Sequence, residues 1–98
     1  MKEKARLFGK KYTLPELQEI VKTNDNPDIE YLGEDLDYIC DNSMVEFFED
    51  YRISFRRRTT GDLADLYIRR YGNNRIELLY VYHIPRKKQV KYHMVEKI

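Results

Sequence analysis

The sequence predicts one α+β domain over residues 1–98: an N-terminal strand and helix, a short second helix, and a four-stranded antiparallel β-meander. Three patterns support this prediction. A helix-start signal near residue 13 precedes a stripe of apolar residues with helical spacing. Apolar and charged residues alternate from residue 51, as in a β-strand. The sequence Gly-Asn-Asn at 72–74 separates two runs of strand-forming residues. A chain of 98 residues fits one domain, and its 42% apolar content is enough for a core.

The first helix has the clearest boundaries. Residues 5–12 are predicted as a short strand, after which Thr13 and Glu16 form a capping box around Pro15. Asn and Pro at 24–27 end the helix, because proline cannot continue it. Its apolar face consists of Leu14, Leu17, Ile20 and Val21.

The middle of the chain is ambiguous. Residues 28–41 fit neither a helical nor a strand period, and we expect a short strand near Ile29–Leu32 followed by a loop or a helical turn. Ser43 and Glu46 have capping-box spacing. They predict a short helix over residues 44–50 that buries Met44, Phe47 and Phe48.

The C-terminal half predicts the meander. Its four strands are expected at 51–56, 66–71, 75–84 and 90–95, with turns at 72–74 and 85–88. A three-residue hairpin loop would place Arg69 opposite Glu77, whereas a two- or four-residue loop would exchange the two faces. We favour three residues, because that register gathers one apolar face: Ile53, Phe55, Leu66, Ile68, Ile76, Leu78, Tyr80 and Val90.

Charge is segregated along the chain, although the formal net charge is only +1. Residues 25–50 contain ten acids and no Lys or Arg, whereas residues 51–98 contain twelve bases and four acids. One interpretation is internal neutralisation between an acidic segment and a basic sheet. The other is two functional faces, an acidic one for a basic protein and a basic one for nucleic acid or an acidic protein.

The candidate binding residues are cations and rings expected on one open side of the sheet. Arg and Tyr on a sheet can bind single-stranded nucleic acid or a protein, and an ordinary solvated face is the alternative. The candidate binding set is Arg52, Arg56, Tyr67, Arg69, Tyr71, Lys91 and His93. The candidate acidic face is Glu34, Asp35, Asp37 and Asp41.

Catalytic signals are sparse in the sequence. His83 and His93 are expected on neighbouring strands, and two imidazoles without a thiolate are a poor metal set. Cys40 lies in an acidic stretch that would raise the pKa of its thiol. No catalytic residue, metal site or cofactor is predicted, and enzymatic activity is not the favoured interpretation.

The sequence therefore favours a small non-enzymatic binding protein with a protein partner, of which an accessory or inhibitory protein of a phage or mobile element is one form. A sequence-tolerant nucleic-acid binder is the alternative, and self-association stays open. A single cysteine, no signal-peptide pattern and a longest apolar run of five residues, Leu78–Tyr82, predict a cytoplasmic protein without membrane contact.

A third hypothesis comes from element order. A strand, a helical segment and a basic antiparallel meander over residues 51–95 resemble the architecture of RelE-type toxins. The resemblance implies RNA cleavage by basic and Tyr or His side chains on the sheet. The chain departs from that family in its short first helix and its very acidic intervening segment.

Overall fold

In a computed structural model, five antiparallel strands form one sheet, and two helices pack against one of its faces. The structure describes residues 7–23, 26, 28–41, 43–57, 61–84 and 93–98. The elements are β1 (Lys10–Thr13), α1 (Leu14–Thr23), α2 (Leu32–Ile39), β2 (Phe48–Arg56), β3 (Leu63–Tyr71), β4 (Arg75–Ile84) and β5 (Met94–Lys97). The α+β class is confirmed.

The strand order is β1-β4-β3-β2-β5, so the predicted four-stranded meander is wrong in its last strand. Only β2, β3 and β4 follow one another as neighbours. The outer edge of β4 is occupied by β1, where Tyr12 pairs with Ile76. The last strand therefore pairs with the free edge of β2, where Val95 lies opposite Ile53.

Helix α1 begins and ends where the sequence predicts. The Thr13 backbone N–H donates to Glu16 Oε1 (2.9 Å), and the Glu16 N–H donates to Thr13 Oγ1 (3.3 Å), which completes the capping box. The helix ends at Thr23. Leu17 is fully buried, and the rest of the stripe packs against the core. The strand before the helix starts at Lys10 rather than at residue 5, which lies outside the described residues.

Helix α2 replaces the strand expected near Ile29–Leu32. Residues 28–31 are a turn, and the helix follows directly. The buried apolar side chains of α2 are Leu32, Leu36 and Ile39, and Ile29 of the preceding turn is buried beside them. Gly33 permits the close approach of α1, because a Cβ at this position would lie 3.2 Å from Val21 Cγ1.

The helix predicted over residues 44–50 is absent from that stretch, and β2 begins there instead at Phe48. Phe48 pairs with Tyr71, so strand pairing with β3 overrides the local capping pattern. Met44 and Phe47, expected to be buried, are 93% and 77% exposed, and Phe48 is also exposed.

The hairpin between β3 and β4 has the predicted three-residue loop. Asn73 and Asn74 adopt positive φ angles of 61° and 52°, a region in which asparagine is enriched. Arg69 lies opposite Glu77, and Ile68 lies opposite Leu78, which confirms the favoured register.

A β-bulge at Leu79 reverses the sheet face to which the later residues of β4 point. Tyr67 pairs with Tyr80 while the next residue, Ile68, pairs with Leu78, so Leu79 is an extra residue. Val81 consequently packs against the core, and Tyr80, expected inside, is 53% exposed on the other face. Val90, the last member of the predicted apolar face, lies outside the described residues.

The first prediction concerns the core face of the sheet. Phe55 and Leu78 are fully buried there. We expect Phe55→Ala and Leu78→Ala each to lower the free energy of unfolding by about 2–5 kcal/mol, because each leaves a cavity. Urea denaturation measures the effect. Unchanged midpoints for both variants would contradict this packing.

The second prediction concerns the capping box. Thr13→Ala removes one of its two reciprocal hydrogen bonds and should lower the free energy of unfolding by about 0.5–2 kcal/mol. Thr23→Ala is the matched control, because Thr23 lies at the other end of α1 and bonds only the Glu19 carbonyl among the described residues. Equal denaturation midpoints for the two variants would show that Thr13 does not cap α1.

Candidate binding surface

The sheet face opposite the helices, called the open face below, is the candidate binding surface. Strand alternation and register place outward-pointing side chains of β2, β3 and β4 together on it. Five of the predicted binding residues share this face: Arg52, Arg56, Tyr67, Arg69 and Tyr71. Tyr80 and Tyr82 join them, because the bulge turns both residues outward.

Two predicted binding residues are not placed on the open face. His93 lies on the helix side of the sheet, where its Nε2 is 2.8 Å from Asp35 Oδ2 and its ring centroid is 5.2 Å from that of Tyr31. The expectation of an outward His93 is therefore wrong, because the residue precedes the observed β5 and reaches α2. Lys91 lies outside the described residues.

The arginines of the open face have carboxylate partners on the same face. Arg69 donates from Nε and Nη2 to the two oxygens of Asp50, at 2.7 and 3.0 Å. Arg52 pairs with Glu96 of β5. Because these arginines are paired with carboxylates, the face has a much smaller net positive potential than the excess of basic residues over 51–98 would predict. The open face is therefore mixed in charge and not uniformly basic.

Aromatic rings fix the ion-paired half of this face. The Arg69 guanidinium lies 4.0 Å from the centroid of the Phe48 ring, and Lys11 Nζ lies 4.5 Å from that of Tyr71. The Tyr71 hydroxyl donates to Glu77 Oε1 at 2.7 Å. The hydrogen bond to Glu77 raises the pKa of Tyr71, which keeps the phenol protonated. These contacts hold the side chains in one arrangement across the sheet.

The other half of the open face is more aromatic and more exposed. The rings of Tyr67 and Tyr80 are 4.8 Å apart with an interplanar angle of 31°. Tyr82 is 63% exposed, and Met94 of β5 is also exposed. The sequence pattern does not predict Tyr80 and Tyr82 on this face, since a single extra residue in β4 has no clear sequence signal.

The residues of the predicted acidic face point to different sides of α2. Glu34 and Asp37 are exposed, whereas Asp35 is buried against the sheet side. Burial raises the pKa of Asp35, and the hydrogen bond from His93 opposes this effect. The four acids therefore do not form one surface, and only Glu34 and Asp37 present carboxylates to solvent from α2 itself.

Asp41 belongs to a buried network around Arg70, which is only 2% exposed. Arg70 Nη1 donates to the Ile39 carbonyl at 2.9 Å, and Nη2 donates to the carbonyls of Asp41 and Ser43 at 2.9 and 2.8 Å. The carboxylates of Asp41 and Glu49 lie 3.3 and 3.4 Å from Nη1. Hydrogen bonds from Ser43 lower the pKa of Asp41.

Several carboxylates of the acidic segment lie beside basic side chains of the C-terminal half of the chain. Among the described residues, at least five acids of this segment contact a basic side chain from residues 51–98: Asp28, Asp35, Asp41, Glu49 and Asp50. The arginine contacts agree with internal neutralisation of part of the segment. The exposed Glu34 and Asp37 leave a smaller acidic surface on α2.

The two histidines occupy separate places on the helix side of the sheet. His83 of β4 contacts Arg57 Nη1 at 3.4 Å and lies 3.9 Å from Asp28 Oδ1, while His93 contacts Asp35. His83 lies on β4 and His93 directly precedes β5, and strands β3 and β2 lie between β4 and β5 in the sheet. Among the described residues, no three His, Cys, Asp or Glu side chains are grouped as a metal site.

Cys40 is a buried free thiol at the end of α2. Burial raises its pKa to about 11, and the nearby Asp41 adds to this effect while Arg70 opposes it. The raised thiol pKa agrees with the prediction from the sequence, although its main cause is burial and not the neighbouring acids. A protonated thiol at neutral pH is a weak nucleophile.

The third prediction concerns the Arg70 network. Arg70→Met keeps the length of the side chain but leaves three backbone carbonyls without their donor, while Glu49 keeps its contacts with Tyr51 and Lys97. We expect the free energy of unfolding to fall by about 3–5 kcal/mol. Arg69→Met is the control on the same strand, and it should change stability much less because its ion pair is partly exposed. Equal losses in chemical denaturation would contradict a special role for Arg70.

Within the described part of the chain, no helix has the length and apolar character needed to cross a membrane. Comparison with known proteins adds no assignment to these geometric findings: no family model, curated protein or solved structure matches the chain.

Proposed function

We propose that the chain is a binding protein that contacts a protein partner through its open face. One observation carries the proposal: a sheet face on which neither of the described helices packs presents exposed tyrosines beside arginines that already have carboxylate partners. Tyr and Arg are enriched among the residues that dominate binding energy in protein interfaces. Ordered side chains also lose less conformational entropy when a partner binds.

The ion pairs favour a protein over a nucleic acid. A phosphate would have to compete with Asp50 for Arg69 and with Glu96 for Arg52. The carboxylates of this face would also repel a polyanion, because phosphate contacts dominate nucleic-acid affinity. A protein surface carries both signs of charge and can match a mixed face.

Exposed apolar side chains adjoin the open face and enlarge the candidate contact area. Four of them line one shallow depression, called the apolar corner here: Met44, Phe47, Phe48 and Ile98. Phe48 belongs to both surfaces, since it also packs on Arg69. Charged residues, among them Glu46 and Lys97, line the same depression, and apolar side chains rimmed by polar ones are typical of protein-binding sites.

The fourth prediction identifies the partner and then tests the face. A photo-crosslinking phenylalanine analogue at position 82, expressed in the native host, should capture a protein that the same analogue at position 38 does not. Tyr38 is the matched control, since it is also a highly exposed tyrosine but lies on α2. Against the purified partner, Tyr80→Ala and Tyr82→Ala should each weaken affinity at least about tenfold, as expected for contact hot spots. Tyr38→Ala should leave affinity unchanged.

Two results would contradict the proposal. Loss of binding in Glu34→Lys with Asp37→Lys, but not in the tyrosine variants, would place the partner on α2. Crosslinking to RNA, with affinity that falls steeply as salt increases, would favour the nucleic-acid alternative, because displaced counterions produce that dependence.

A further inference from the structure

A buried carboxylate lies in the aromatic half of the open face. Asp65 points outward from β3, yet it is only 8% exposed. Its Oδ1 accepts a hydrogen bond from Ser54 Oγ at 2.7 Å, across the β2–β3 pair. Among the described residues, no cationic group lies within 4.0 Å of this carboxylate, in contrast to Asp50 and Glu96 on the same face.

The nearest arginines of β2 are engaged elsewhere. Arg52 pairs with Glu96, and Arg56 Nη1 donates to the Gly61 carbonyl at 2.6 Å. A carboxylate that is largely removed from water without a cationic partner is costly, and buried acids are normally paired. Asp65 is therefore an acceptor that, among the described residues, has a hydroxyl partner and no cationic one.

Three tyrosines lie next to Asp65 on the open face. Register places Tyr82 directly opposite Asp65 and Tyr80 directly opposite Tyr67, so the four residues form a two-by-two group on adjacent strands. Directly opposite residues have Cβ atoms roughly 4.5–5.5 Å apart. The faces of aromatic rings carry negative electrostatic potential and attract cations.

We propose that Asp65, Tyr67, Tyr80 and Tyr82 form a cation-binding site, which takes a lysine or arginine side chain of the protein partner. The ammonium or guanidinium group donates to Asp65, and the aliphatic stem of the side chain lies along the tyrosine rings. This inference rests on the proposed function, because it names the group that the partner inserts into the open face.

The chemistry of the group favours an organic cation over a metal ion. A metal ion would require several oxygen, nitrogen or sulfur donors in close geometry, and the described residues contain no such group of three acidic, His or Cys side chains. Aromatic faces bind ammonium and guanidinium groups directly, with Tyr well suited to the purpose.

The fifth prediction uses a small probe that needs no partner. Nα-acetyl-lysine N-methylamide, titrated against the labelled protein, should cause saturable NMR shifts at Asp65, Tyr80 and Tyr82 with affinity of roughly millimolar order. Nα-acetyl-norleucine N-methylamide has the same stem without the ammonium group and should cause little change. Equal shifts from both probes, or none from either, would overturn the inference.

Asp65→Asn tests the carboxylate, since the amide keeps the shape and can still accept the Ser54 hydrogen bond. It should weaken binding of the lysine probe at least tenfold, whereas Asp37→Asn, at an exposed acid of α2, should not. Tyr82→Leu is a second test at an exposed position that does not threaten the fold, and it should also weaken binding severalfold. Affinities within twofold of the native protein for both variants would contradict the site.

The same variants separate this inference from the proposed function. If the partner needs Tyr80 and Tyr82 but binds Asp65→Asn normally, the cation site is wrong and the open-face proposal stands. If the lysine probe binds at Asp65 while the partner ignores the tyrosine variants, the cation site stands and the open-face proposal is wrong.

Discussion

The guanidinium of Arg70 joins the segment after α2 to the sheet, and the arrangement of the two layers depends on it. Its charge is removed from water, and an isolated buried ion costs several kcal/mol. That cost is offset only while the carbonyls of Ile39, Asp41 and Ser43 and the carboxylate of Glu49 stay in place. The network thus couples the end of α2, the start of β2 and the end of β3 in a single unit.

This coupling assigns different tasks to the two faces of the sheet. The inner face holds the apolar core with Arg70 at one end, and both helices cover it. The open face is held by local pairs such as Asp50 with Arg69, which need no second layer. An ordered surface that exposes Tyr80 and Tyr82 agrees with the proposed binding role, since side chains that are already fixed lose less entropy in a complex.

Local signals predicted local structure well, and distant pairing was the main source of error. The capping box at Thr13 and the asparagine turn at 72–74 involve neighbouring residues, so their patterns determined α1 and the first register. The position of β5 depends on which sheet edge is free, and the loss of the 44–50 helix depends on pairing with β3. Arg70 was missed as a structural residue, because nothing in the Arg69-Arg70 pair marks which side chain points inward.

The extra residue at Leu79 has a consequence for how such a surface can arise or vanish. Because a strand alternates sides at every residue, one inserted codon turns all later outward positions of β4 over. A deletion at this point would move Tyr80 and Tyr82 toward the helices and bring Val81 out to solvent. A change in chain length by one residue would therefore exchange an aromatic surface for an aliphatic one, with every other side chain in the strand conserved.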